Sequence, residues 1–331
     1  MNSTLYISPT DYQSFEINNQ QTSTNNPPQV IGFGALNLDR ILYVNRIVKP
    51  DEEGFISSVE NHPGGSAANT IVGLSRLGIR TGYIGKVAHD EGGEILLNDL
   101  ASENVDTIGV TTNSGRSGAC FIMVDGRGDR GILVDPGVND TISITDIDMK
   151  FIYSADLIHM TSFICKESET SFLTQKQVVL STSSRISLDP GTLYAERGME
   201  GLLEFIKRAR LVLPNAHELH LMTGCENVHK GANMLIDAGA EWVAIKMGDR
   251  GCYVTDGIIS TKIPAVKANV VDTTGAGDAF NAGFIYSMLQ GKNIEECGKI
   301  GNITASISIA YRGARAGLPN SKELNEFTKD L

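Results

Sequence analysis

From Val30 onward, short β-like runs alternate with longer helical patterns, and no other feature restricts the fold of this 331-residue chain as much. Such alternation is satisfied by a mostly parallel sheet with helices packed on both faces, the doubly wound α/β arrangement. The strand candidates are residues 30–33, 81–84, 157–160, 185–188, 211–213, 242–246 and 251–255. Helical patterns fall at 66–77, 93–103, 199–209, 216–223, 228–238, 279–290 and 294–311. Two regions break the rule. Residues 36–44 with 54–61, and 119–124 with 131–134, read as hairpin strands with no helix between them. They predict a small discontinuous sheet, built from segments near 36–62 and 112–136, that stands off the main domain. Ligands of open α/β sheets bind at the carboxyl ends of the strands, so a sheet placed there acts as a lid.

One large α/β domain with a modest insertion accommodates this length, and residues 29–331 are read as that domain. Residues 1–28 are rich in Asn, Gln, Ser and Thr and end at Pro27-Pro28. They read as a flexible polar leader with too little apolar surface to offset chain entropy. Tyr6, Tyr12 and Phe15 leave open a second role, as an arm packed on a partner subunit. A formal charge of −11 argues against a nucleic-acid or anionic-membrane surface as the main partner. No apolar run approaches membrane-spanning length, and the N-terminus lacks the basic start and apolar core of a signal peptide. Cys120, Cys165, Cys225, Cys252 and Cys297 form no CxxC pair and no Cys/His cluster, which fits a reducing compartment. The expectation is a soluble cytoplasmic protein that acts on a small molecule.

The chemistry concentrates in residues 271–284. Phe280, Phe284 and Met288 recur at four-residue spacing, so the helix after Gly277 buries one apolar face while its N-terminal amides stay free. Gly275, Ala276 and Gly277 let a phosphoryl group approach those donors closely, and the helix dipole favours its charge. Asp278 then sits beside the phosphate. A carboxylate there is electrostatically wrong for binding an anion but right for taking a proton from an attacking hydroxyl.

Other motifs each admit two readings. Gly64 and Gly65 open the helix that carries Asn69, where a glycine pair permits close approach of the backbone to a ligand hydroxyl; a tight turn capped by Ser66 is the plainer account. Asn37 and Asp39 lie two apart and can face the same side, which suits vicinal sugar hydroxyls as well as an ordinary exposed turn. Asn215 and Glu218 have capping-box spacing, and the same oxygens near a triphosphate would hold hydrated Mg²⁺; His217 belongs to the helix surface. Lys246 to Gly251, with Gly248, is a strand and a glycine turn, either a hairpin or a place for a nucleotide base or ribose to lie.

Two nucleotide signatures fail. Gly32-x-Gly34 is followed by Asn37 and a strand-like run, so a dinucleotide fingerprint lacks its third glycine and its helix. Gly85-Lys86 has neither the spacing nor the following Ser/Thr of a P-loop. Phosphate binding must use other machinery.

Taken in order, Gly64-Gly65 with Asn69, Asn215 with Glu218, and residues 272–284 resemble the ribokinase (PfkB-type) family of carbohydrate and nucleoside kinases, over about residues 29–320. The resemblance implies a three-layer α/β/α sandwich with a small β lid. It also implies transfer of the γ-phosphoryl group of ATP, with Mg²⁺, to a hydroxymethyl group. On that resemblance Asp278 matches the catalytic base, and Gly275, Ala276 and Gly277 match the anion hole. Asn215 and Glu218 match the motif that organises Mg²⁺; Asp39, Gly64, Gly65 and Asn69 match substrate contacts; Gly248 and Asn302 fall where the nucleotide is held. Asp272, Thr274 and residues 313–317 occupy the places of a monovalent-cation site, for K⁺ in many members. The segment from Glu296 to Pro319 is similar to archaeal nucleoside kinases of the family.

The reading is therefore a kinase acting on the primary hydroxyl of a nucleoside, with a free sugar (ribose, fructose or a keto-deoxy sugar acid) as the alternative. An acid would need a cationic partner, for which Arg116 is the candidate, and residues 156–165 would help line the acceptor pocket. A binding protein that lost catalysis is the rival of another class, and a vitamin-type kinase without an extended lid is a third. An exposed lid edge predicts a homodimer formed through the lids.

Overall fold

The computed structural model describes residues 26–165 and 168–329; most of the expected leader lies outside the described residues. The first half runs β1 (Val30–Phe33), β2 (Asn37–Val44), β3 (Ile56–Gly64), α1 (Ser66–Arg76), β4 (Thr81–Ala88), α2 (Glu91–Ser102), β5 (Val105–Asn113), β6 (Gly118–Val124) and β7 (Arg130–Asp135). After two single-turn 3-10 segments come α3 (Met149–Tyr153), β8 (Leu157–Thr161), α4 (Thr170–Ser181), β9 (Arg185–Asp189), α5 (Gly191–Ala195), α6 (Gly198–Gly201), α7 (Leu203–Arg208) and β10 (Ala209–Val212). The chain then forms α8 (Ala216–Thr223), α9 (Val228–Asp237), β11 (Trp242–Lys246), β12 (Cys252–Thr255), β13 (Ser260–Ile263), α10 (Ala276–Leu289), α11 (Ile294–Ser308) and α12 (Ser321–Phe327).

Nine strands form the main sheet in the order β13-β12-β11-β10-β9-β8-β1-β4-β5. The strands from β5 to β11 are parallel, and β12 and β13 add antiparallel pairs at one edge. Strand β1 reads Val-Ile-Gly-Phe, is buried throughout, and sends Val30 to one apolar cluster while Ile31 and Phe33 join the other. A strand buried on both faces needs no polar alternation, which is why these segments read as continuous apolar runs. Helices α1 and α10 cover the Val30 face, and α4 and α7 the opposite one.

The second sheet, of order β3-β2-β6-β7, is the expected small separate sheet. Its span is 37–64 plus 118–135, so residues 112–113 belong to the end of β5 instead. Central strands β2 and β6 run parallel and join the antiparallel pairs β2-β3 and β6-β7 into one sheet. On one face, in register, lie His62, Asp39, Cys120 and Val134, then Glu60, Ile41, Ile122 and Ile132. The helix expected over 199–209 breaks into α6 and α7 around Leu202. No helix among the described residues is long and apolar enough to cross a membrane.

Candidate active site

Helix α10 begins at an uncapped end. Gly275 is its N-cap with φ 75°, and no side chain caps the first turn. That conformation favours glycine, and a Cβ there would stand 2.7 Å from Ala314 Cα, so the residue is doubly constrained. First-turn amides have no acceptor within a helix, and here no side chain supplies one, so the site is suited to an anion. Of the three small residues, Ala276 is partly engaged: its N–H donates to Thr273 O at 3.2 Å. The helix is as expected, but it starts three residues earlier than the apolar spacing indicates.

Asp278 sits in that first turn. Ser66 Oγ donates to its Oδ1 at 2.6 Å and Asn69 Nδ2 to its Oδ2 at 2.8 Å. Burial pushes the carboxyl up to about 6; the Ser66 and Asn69 bonds and Lys246 oppose the rise, and Asp189 adds to it. A carboxylate poised there is ionised at neutral pH yet basic enough to accept a hydroxyl proton. Ser66 therefore does not cap α1: Gly65 is the N-cap, with φ 105°, and a Cβ on it would meet Ala35 O at 2.3 Å. Asn69, expected as a substrate contact, is buried and engaged at both ends, since Arg315 Nε donates to its Oδ1 at 2.8 Å.

A buried charged cluster lies alongside. Lys246 Nζ is 2.5 Å from Asp189 Oδ2, and Asn281 Nδ2 donates to the same oxygen at 2.6 Å. Burial works against the Asp189 carboxylate, yet Lys246 and Asn281 hold it below its ordinary range; burial likewise works against the Lys246 ammonium, and Asp189 with Glu218 raises it above its ordinary value. A Cβ on Gly277 would be 3.6 Å from Lys246 Nζ, so the ammonium lies under the α10 start. Asp189 and Asn281 were not among the residues singled out by sequence. The available signal was Asp189-Pro190 at the carboxyl end of a core strand, where such folds bind ligands.

Asn215 and Glu218 form the full capping box: Asn215 Oδ1 accepts from Glu218 N and Glu218 Oε2 from Asn215 N, both at 2.8 Å. Glu218 is nonetheless buried, and burial, with Asp189 beside it, pushes its carboxyl up to about 7. A surface cap needs no such burial, so capping alone does not account for the position of Glu218. Among the described residues no three His, Cys, Asp or Glu side chains cluster as a cation cage. One buried carboxylate fits Mg²⁺ held mainly by waters and phosphate oxygens.

Beside the α10 start opens a cleft of about 610 Å³ with largely apolar walls, lined by Lys246, Gly248, Val266, Val270, Phe280 and Ala305 among others. Asn302 lines it too, but its Nδ2 is committed to Ile263 O and Pro264 O, so it shapes the wall and has no donor left pointing inward. Two residues before Ser66, Gly64 sits on Asp39, whose Oδ2 would be 2.6 Å from a Cβ at that position. Burial raises the Asp39 carboxyl, while Cys120 and Arg315 oppose the rise. Asn37 Oδ1 accepts from Asn139 Nδ2 at 3.0 Å. Arg116 is exposed and paired with Asp135, so it supplies no free cation. Asp272 accepts from Thr274 N and Oγ1 and from Gly313 N, bonds that hold it below its ordinary range against the effect of burial.

An anion-accepting helix start that carries a half-buried carboxylate has the groups needed to move a phosphoryl group onto a hydroxyl, the chemistry of a phosphotransferase. The profile of the pfkB family carbohydrate kinases matches residues 28–321, and the chain belongs to that family, whose members phosphorylate a sugar or nucleoside hydroxyl. An uncharacterized sugar kinase of Archaeoglobus fulgidus is 49% identical over 250 residues, covering 76% of this chain and 99% of that protein. An ATP-dependent ribose-1-phosphate kinase of Halopiger xanaduensis is 31% identical, covering 87% of this chain and 94% of the relative. The fold is ribokinase-like: a ribokinase from Thermotoga maritima superposes with a TM-score of 0.82 at 25% identity, covering 92% of this chain and all of that one.

Proposed function

We propose that this kinase transfers the γ-phosphoryl group of ATP to the primary hydroxyl of a ribosyl compound, a nucleoside before a free sugar, with Asp278 as the general base. The observation that carries the reading is Asp278 itself, a half-buried carboxylate clamped by two donors at an uncapped helix start. The base takes the proton of the hydroxymethyl group; its oxygen attacks the γ-phosphorus, the bond to the β-phosphate oxygen breaks, and ADP leaves. Charge on the transferring group is met by the free α10 amides, with Lys246 beneath them. Mg²⁺, when bound near Glu218 and Asn215, neutralises triphosphate charge. The apolar cleft on the Lys246 side suits the adenine end of the nucleotide. Asp272, Thr274 and Gly313 are assigned to a K⁺ site, and the lids to a homodimer interface.

For the acceptor, Asp39 shares its lid face with Ile41, Ile122, Ile132 and Val134. A carboxylate for vicinal hydroxyls beside an apolar strip supports a ribose that carries a flat base. The Archaeoglobus relative's name, sugar kinase, keeps the free-sugar reading as the alternative. A sugar acid is not supported, because Arg116 is neutralised by Asp135. ADP release measured across a panel of nucleosides, ribose, fructose and ribose 1-phosphate tests the reading. The highest kcat/KM is expected with a nucleoside, and a panel in which no acceptor raises ADP release above background would refute the proposal.

A further inference from the structure

Three consecutive residues after α11 touch three parts of the site. Gly313 N–H donates to Asp272 Oδ2 at 2.9 Å, Ala314 packs against Gly275, and the Arg315 side chain reaches Asn69. Arg315 is 9% exposed, which for an arginine demands fixed partners. It has them: its Nη1 pairs with Asp99 on α2, its Nε donates to Asn69 Oδ1, and its carbonyl accepts from Arg76 Nη1 at 2.7 Å. Arg76 is in turn held by Glu103. Resting on the reading of Asp278 as base, we propose that Arg315 is a positioning residue for Asp278, acting through Asn69.

Donor polarity fixes the Asn69 amide. A guanidinium can only donate, so the Asn69 amide must turn its oxygen toward Arg315 and its NH₂ toward Asp278. That orientation supplies the 2.8 Å bond to Oδ2, and Ser66 supplies the bond to Oδ1. With one donor on each oxygen, the carboxylate plane is fixed and the remaining lone pairs are left for the acceptor hydroxyl. Without Arg315 the Asn69 amide is free to rotate, and one side of this clamp is lost. A base displaced by a fraction of an ångström loses the near-attack geometry on which the rate depends.

The test compares Arg315→Met, Asn69→Ala and the double variant, each checked for folding by its thermal transition, with Asp278→Asn alongside. Arg315→Met should lower kcat on the order of tenfold and leave the KM for ATP within about twofold. The double variant should be no slower than Asn69→Ala alone, because the two residues act in series. Asp99→Asn, which removes the ion pair but not the bond to Asn69, should lower the melting temperature while kcat stays within about twofold. A folded Arg315→Met with wild-type kcat, losses that multiply in the double variant, or an Asp99→Asn as slow as Arg315→Met would each overturn the proposal. If Arg315→Met does not fold, Asn69→Ala with wild-type kcat overturns it by itself. An active Asp278→Asn would instead refute the assignment of the base, so the two failures are told apart.

Discussion

Ser66 Oγ and Asp278 Oδ1 lie 2.6 Å apart, joining the start of α1 to the start of α10 across 212 residues of sequence. The hydroxyl is one of two donors that hold down a carboxyl which burial pushes up to about 6. Below that pH Asp278 is protonated and cannot accept a proton; above it the base is ionised. The rate should therefore rise with pH through about 6 and level off above it. Ser66→Ala removes a bond that favours the ionised form, so its acid limb should move to higher pH. Profiles of kcat/KM against pH for the two proteins check this; a Ser66→Ala limb at lower pH would contradict it.

The pair Lys246 and Asp189 makes a prediction about stability. Lys246→Met leaves a buried carboxylate without its counter-charge, a change that costs about 3–5 kcal/mol. Adding Asp189→Asn removes the stranded charge and should recover most of that loss while activity stays low. Urea denaturation of the two single variants and the double variant measures it, and a double variant no more stable than Lys246→Met would count against the pairing.

Gly64 should separate the two substrates. A methyl group at this position would press on the Asp39 carboxylate, whose Oδ2 stands 2.6 Å from the Cβ position. Gly64→Ala is expected to raise the acceptor KM by about tenfold or more and leave the ATP KM nearly unchanged. Steady-state kinetics varying each substrate in turn would show it; a change confined to the ATP KM would place Asp39 on the wrong side of the site.

Much of this architecture was legible because local pattern and tertiary role agree. Gly275 needs a positive φ, Gly65 needs both a positive φ and room, and Asn215 with Glu218 is a local capping box, so each leaves a mark in the sequence. Helix α4 left none. Its buried residues include Ser171, Thr174 and Gln175, and Gln175 is buried because it bonds Phe33 O, Thr161 O and Tyr194, so no apolar stripe appears. Strand β5 was missed for a related reason: Asp106, Gly109 and a Thr111-Thr112 pair interrupt its apolar run. The roles of Ser66, Asp189 and Arg315 rest on contacts between residues far apart in sequence, which no local spacing encodes.

The lid leaves large apolar side chains in solvent in the single chain: Ile56, Val59, Ile132, Leu133 and Val134 are each about half exposed or more. Its strands β3 and β7 are also open edges. Sedimentation should give a dimer for the wild-type protein, and Ile132→Lys with Leu133→Lys should shift it to monomer. A wild-type monomer at micromolar concentration would remove the lid interface from the account.

If Asp278 takes the proton of the acceptor hydroxyl, the turnover of Asp278→Asn against wild type must show it. With the best nucleoside of the panel and saturating ATP, kcat should fall by about 10²–10⁴-fold. Calorimetry on the same variant should show ATP affinity within about threefold of wild type, because the α10 amides and Lys246 remain. An Asp278→Asn protein that turns over at a rate close to wild type would contradict the account.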